Sequence, residues 1–199
     1  MNRFIFYVAC DTAGLTGTEL TVVQDNFAQF LHQLSDDPIL AEKSAVSVIE
    51  FGWSAEVLMP PTSVLEVTSV PLLGGTSGPA DFAALFRLLR FLVPRDVRAT
   101  RRTATVQDLV VLIVTKGQPA QTAWESELAK MVGVLERVGV NREVPVVAVG
   151  LAGADENFLS AVGRWHSRKM FLRLDDGGDL GDVAREIRGL LRSEPIEGY

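Results

Sequence analysis

Three short stretches of this chain carry residues that could do chemistry. The apolar run Phe4-Ile5-Phe6-Tyr7-Val8-Ala9 ends in Cys10-Asp11-Thr12-Ala13-Gly14-Leu15. A glycine turn, Gly74-Gly75, leads into Thr76. A second apolar run, 109–114, ends in Thr115-Lys116-Gly117. An aspartate at such a strand end can hold a hard cation, act as a nucleophile or pair with a lysine. A fourth stretch is basic: Arg87, Arg90, Arg95, Arg98, Arg101 and Arg102 fall within sixteen residues. These read as a patch for an acidic partner or phosphate, or as a solvated helix end where the macrodipole favours cations. The second reading is preferred over a nucleic-acid role, because Phe91, the aromatic residue among them, is expected to face inward.

Other catalytic signatures are missing. The sequence has no GxGxxG, no Walker lysine loop and no GxSxG elbow. His32 and His166 have no ligand spacing and no obvious carboxylate partner, and Cys10 has no nameable base, so it reads as a small buried residue. The acidic run Asp175-Asp176-Gly177-Gly178-Asp179 lacks the spacing of a calcium loop and reads as an N-terminal cap on a last helix.

The elements that must position these residues follow from periodicity. Runs 4–9 and 109–114 are uniformly apolar, as strands buried on both faces of a parallel sheet are. Further strands are expected at 44–51, 144–149 and 169–174. The segment 55–58 reads as an antiparallel edge strand after the Gly52-Trp53-Ser54 turn. Helical spacing marks 18–34, broken at Asp37-Pro38, then 80–93, ended by Pro94, then 122–138, 155–164 and 179–192. Residues 59–78 look irregular. Strands alternating with helices predict an α/β doubly wound, Rossmann-like sheet with helices on both faces, which binds ligands at the carboxyl ends of its strands. Trp53 reads either as a partner anchor or as packing under the 59–78 loop; Trp124 reads as core.

Length and composition agree. The chain has 199 residues, 47% apolar and 22% charged, which suits one domain over 1–193 with a flexible tail at 194–199. The 25 acidic and 19 basic residues give a net charge of −6, which argues against a bulk grip on nucleic acid. No apolar run approaches a membrane span, and the one cysteine excludes an intrachain disulfide. A cytoplasmic location is expected.

In order and spacing, these segments resemble the von Willebrand factor A (VWA) domain family, and most of all its bacterial TerY-like branch. The resemblance runs from the first strand into Asp11-Thr12, through Asp37-Pro38, Ser47-Val48-Ile49-Glu50-Phe51, Gly74-Gly75-Thr76 and Asp96-Val97-Arg98, to Thr115-Lys116-Gly117 and Arg173-Leu174-Asp175-Asp176. It implies a six-stranded, mostly parallel sheet with one antiparallel edge strand. It also implies a protein-binding or scaffold role in a stress-response or tellurium-resistance-type system.

Such domains hold a divalent cation with an Asp-x-Ser-x-Ser loop, a later threonine and a second aspartate. Carried onto this chain, Asp11 and Thr76 are kept, but the serine positions hold Ala13 and Leu15 and the second aspartate position holds Lys116. Alanine and leucine offer no side-chain oxygen, and lysine repels a cation. A degenerate site with no metal and no cofactor is therefore expected. Lys116 is expected either to pair with Asp11 across neighbouring strands or to point into solvent.

The resemblance thus implies a non-enzymatic interaction module, with Asp11, Thr76, Lys116, Trp53, Arg95, Arg98, Arg101 and Arg102 as partner-binding candidates. Its partners would be proteins, not membrane or nucleic acid, and the 55–58 edge is a candidate for pairing between copies. Two alternatives stand beside it. One is a haloacid-dehalogenase-like phosphatase with Asp11 as nucleophile, Thr115, Lys116 and Asp175-Asp176 in support, and Ala13 where the acid/base aspartate belongs. The other is a metal-dependent VWA domain that recruits Thr12 or Thr16 as unusual ligands.

Overall fold

The first strand shows how the sheet is built. In β1 (Asn2–Asp11), alternate side chains feed two separate cores. Ile5, Tyr7 and Ala9 face one, and Phe4, Phe6, Val8 and Cys10 face the other. A strand covered on both sides has no polar face, which explains its unbroken apolar run. The computed structural model describes residues 2–117, 119, 123–138, 145–165, 168–174 and 184–185.

β1 pairs in parallel with β2 (Ser44–Phe51) on one side and β4 (Thr105–Thr115) on the other. β4 pairs in parallel with β5 (Val146–Gly150), and β3 (Ala55–Ser63) closes the far edge antiparallel to β2. Two-residue strands β6 (Arg164–Trp165) and β7 (Arg168–Lys169) run antiparallel beside β5, and β8 (Phe171–Arg173) pairs with β5 in parallel. With the two-residue strands β6 and β7 set aside, the sheet is six-stranded, β3-β2-β1-β4-β5-β8, mostly parallel with one antiparallel edge; with them it has eight strands among the described residues.

Helices cover both faces. α1 (Gly17–Ser35) packs Val23, Phe27, Phe30 and Leu34 on one side, with Leu40 of α2 (Pro38–Lys43) beside them. α3 (Phe82–Thr100) and α4 (Trp124–Arg137) pack Leu85, Leu89, Val93, Leu128 and Met131 on the other. α5 (Glu156–Val162) lies beside β5. Among the described residues, no helix is long and apolar enough to cross a membrane.

Several boundaries differ from the sequence reading. Asp37-Pro38 ends α1 but also starts α2: Asp37 Oδ1 accepts the Ile39 and Leu40 N–H groups, and Pro38 supplies a preset φ. β3 runs to Ser63 instead of stopping at 58, so part of the expected 59–78 loop is strand. Its later half holds Pro60 and Pro61, which cannot donate to a neighbouring strand and so blunt this edge for pairing between copies.

α3 does not stop at Pro94 but continues to Thr100. Pro94 removes one helical N–H, at a typical cost of about 3 kcal/mol in a helix interior. Burial of Val93 and Val97 and an internal hydrogen bond offset that cost. In that bond the buried Tyr7 hydroxyl donates to Asp96 Oδ2 at 3.2 Å. The expected helix over 179–192, the cap at Asp175–Asp179, His166 and the tail at 194–199 lie outside the described residues, apart from Ala184 and Arg185 of that helix.

Candidate functional site at the strand ends

The parallel strands all finish at one end of the sheet, where the expected residues gather. Asp11 closes β1 and Thr115 closes β4. Asp11 is almost fully buried, at 3% exposure. Its Oδ2 accepts the Thr115 hydroxyl at 2.6 Å, and its Oδ1 accepts the Ala13 N–H at 3.0 Å. The Thr115 hydroxyl in turn accepts the Gly117 N–H at 2.8 Å. Burial raises the Asp11 carboxyl from its ordinary 3.8 to about 6. The Thr115 and Ala13 hydrogen bonds and the Lys116 charge pull it part of the way back.

The 74–76 turn is stitched to the Asp11 loop. Thr76 N–H donates to Thr12 C=O at 3.2 Å, and Gly14 N–H donates to Thr76 C=O at 3.0 Å. The Thr12 and Thr76 hydroxyls lie 3.4 Å apart, and the Thr12 hydroxyl also contacts Phe51 C=O. Gly52 permits this approach, since a Cβ there would collide with the Thr76 hydroxyl.

Two residues that the sequence reading passed over hold the turn in place. Glu50, on β2, accepts the Gly74 and Gly75 N–H groups on Oε1 at 2.9 and 3.0 Å. Gly75 presents its N–H there with φ +71, in the left-handed region that glycine adopts freely. Gln24, on α1, donates to Pro71 C=O at 2.6 Å and accepts Leu73 N–H at 3.2 Å. Glu50 had a readable signal, a charge inside an otherwise buried strand. Gln24 had none.

Lys116 turns neither to Asp11 nor freely into solvent. Its Nζ lies 2.7 Å from Glu19 Oε1, so the expected Asp11–Lys116 ion pair gives way to a Glu19–Lys116 pair. Glu19 is already fixed by a capping box, in which its Oε2 accepts Thr16 N–H at 2.8 Å and the Thr16 hydroxyl at 2.9 Å. Lys116 first, and then Thr16, hold the Glu19 carboxyl down at about 2.

These contacts bear on a divalent cation. Mg²⁺ wants several oxygen ligands in octahedral geometry. Both Asp11 oxygens are engaged, Ala13 and Leu15 have no oxygen to offer, and Leu15 packs against the α1-side core. The Thr16 hydroxyl serves the helix cap and the Thr12 hydroxyl serves Phe51 and Thr76. Among the described residues, no group of three or more His, Cys, Asp or Glu side chains could hold a metal. As placed, these side chains leave few free oxygens for a divalent cation.

The remaining candidates lie elsewhere on the surface. Trp53, in the turn after β2, is 75% exposed and so does not pack under the long loop. It stands at the same sheet end as Asp11. Arg95, Arg98, Arg101 and Arg102 are exposed on the later half of α3 and just beyond it. Phe91 is not inward-facing, as the sequence reading had it, but 69% exposed among them. Cys10 is buried, and burial pushes its thiol up to about 12, which fits an inert core residue.

No protein-family model matches the sequence, and no curated protein matches it. Solved structures do match. The VWA domain of SpRpn10 superposes with a TM-score of 0.55 at 14% identity, covering 92% of this chain and 94% of that one. This chain has a VWA-like fold. BatB from Bacteroides thetaiotaomicron matches at TM-score 0.61 and 14% identity, covering 95% of this chain and 99% of that one. Proximal thread matrix protein 1 from the mussel byssus, with a zinc-occupied MIDAS motif, matches at 0.60 and 15%, covering 96% of this chain. The chain spans about half the length of the mussel protein, 46% in that form and 48% in another crystal form. Identities this low carry the VWA fold and nothing of ligand or partner.

Proposed function

We propose that this chain is a non-enzymatic protein-interaction module of VWA type that engages its partner without a divalent cation. Lys116 carries the reading. Where the resemblance places a cation-binding aspartate, this chain sets an ammonium paired with Glu19. The buried Asp11 is satisfied by Thr115 and Ala13, so no metal is needed to balance its hydrogen bonding. The contact surface is then the rim of the strand ends, with Lys116 and Glu19 as its polar part and Trp53 as its exposed apolar anchor.

The same contacts weigh against the phosphatase alternative, since a nucleophilic Asp11 would need an open oxygen and a second carboxylate where Ala13 stands. The resemblance to the TerY-like branch extends the proposal to a cytoplasmic bacterial stress-response system of the tellurium-resistance kind. It is the VWA-like fold and the order of the quoted segments that support this, and tellurite sensitivity on deletion, restored by the native chain, tests it.

The module itself is tested by a photo-crosslinking residue placed at Trp53 in cells. The proposal expects one discrete adduct that survives chelation of divalent cations and is lost with Lys116→Glu. An adduct that chelation abolishes, or turnover of phosphate esters abolished by Asp11→Asn, would replace this reading with one of the alternatives.

A further inference from the structure

We infer that the exposed face of α3 is a second binding surface, for a short acidic peptide segment of a protein partner with an apolar side chain beside its carboxylates. A groove of about 530 Å³ runs along this face, bordered by Arg90, Phe91, Pro94, Arg95, Arg98 and Arg102. A second groove of about 340 Å³, between α3 and α4, shares Pro94 and Arg98 with it and adds Arg101 and Arg137. No carboxylate lines either groove among the described residues.

The charge is local and strong. Residues 87–102 hold six arginines and one aspartate, a balance of +5, on a chain whose net charge is −6, so the remainder carries −11. Some of that basic charge is already matched. Arg87 pairs with Asp81, Arg90 with Glu127, and Arg95 with Asp96. Arg98 and Arg102 have no carboxylate partner among the described residues. They are exposed, Arg98 in the last turn of α3 and Arg102 in the turn just after it, and flanked by the apolar surface of Phe91, Pro94 and Ala99. Exposing a phenylalanine costs solvation, and a guanidinium next to it offers a carboxylate fork-like hydrogen bonds.

The spacing sets the ligand. Along α3, Phe91 lies about 10 Å before Arg98, and Arg102 follows four residues later in the turn just beyond the helix end at Thr100, about 6 Å further at a helix-like rise. In an extended peptide, at roughly 3.3 Å per residue, three residues span about 10 Å and two span about 6.6 Å. An apolar residue followed three positions later by a glutamate, and two later by another, matches Phe91, Arg98 and Arg102 in turn. A free phosphate would leave most of the groove empty and use none of its apolar floor. Single-stranded nucleic acid stacks successive bases on several aromatics, and this face has one. The −11 balance elsewhere also repels a long polyanion.

α3 starts at the strand ends beside Gly52, whose C=O accepts Asp81 N–H, and leads away to the start of β4. The groove is therefore remote from the Asp11 loop, and this inference is independent of how that loop works.

Fluorescence anisotropy of a labelled peptide, GLGSEGEG, tests it on the full chain at physiological salt. Saturable binding is expected, weakened at least tenfold by Arg98→Gln with Arg102→Gln, and severalfold by Phe91→Ser. These exposed substitutions leave the fold intact, which circular dichroism checks. Trp53→Ala and Lys116→Gln should leave peptide affinity unchanged. The inference is overturned if the double variant binds like the native chain, if a peptide with both glutamates changed to glutamine binds equally well, or if a ten-residue thymidine oligonucleotide binds more tightly.

Discussion

A carboxylate buried with one hydroxyl and one amide for company is a burden on folding, and Asp11 is such a residue. Its carboxyl sits at about 6 in the folded chain against 3.8 when exposed. Between those values the folded chain holds a proton that the unfolded chain releases, so the contribution of Asp11 is most favourable below about 3.8 and is lost as pH rises through about 6. The difference amounts to about 2–3 kcal/mol at neutral pH. Asp11→Asn is therefore expected to raise stability by about 1–2 kcal/mol at pH 7.5, with the gap from the native chain closing below pH 4. Urea melts of both chains across that range check it. Glu50 is the opposite case, a buried acceptor that holds two N–H groups. Glu50→Ala should cost about 1–3 kcal/mol and speed hydrogen exchange at Gly74 and Gly75. Asp11 was legible from its place after an apolar run. The Glu19–Lys116 pair was not, because it joins a helix cap to a strand end almost a hundred residues away.

At the scale of elements, α3 shows where sequence rules compete. Phe82, Leu85, Phe86, Leu89 and Val93 fix the buried stripe, and its phase puts Phe91 on the opposite side. Reading Phe91 by residue type rather than by phase turned it inward, and the exposed face went unseen. Pro94 likewise argues for a helix end, yet Val97 resumes the same stripe and packing carries the helix on. Pro94→Ala restores the missing N–H toward Arg90 C=O, and thermal melts should show a gain of about 1–3 kcal/mol. No gain would mean that a kink at Pro94 is required by the packing of Val93 and Val97. The strands were the easiest elements to read, since β1 and β4 are buried on both faces and carry near-continuous apolar runs. β3 was read too short because Pro60 and Pro61, tolerated on an edge strand, look like a loop.

For the molecule as a whole, the VWA-like fold presents two unlike surfaces among the described residues. The strand-end rim joins a satisfied Asp11, the Glu19–Lys116 pair and an exposed Trp53. The α3 face joins arginines to Phe91. An acidic chain with one basic face presents that face to acidic partners while its bulk repels polyanions. The element order could be read because each layer has its own period. The stitching of the rim could not, because it depends on contacts between loops far apart in sequence. The central claim is that Lys116, Ala13 and Leu15 have replaced a cation-binding set. Calorimetric titration with Mg²⁺ and Mn²⁺ tests it most directly, on the native chain and on Ala13→Ser with Leu15→Ser and Lys116→Asp. The account predicts no saturable heat from the native chain at millimolar cation and saturable heat from the triple variant. Saturable heat from the native chain, abolished by Asp11→Asn, would contradict it.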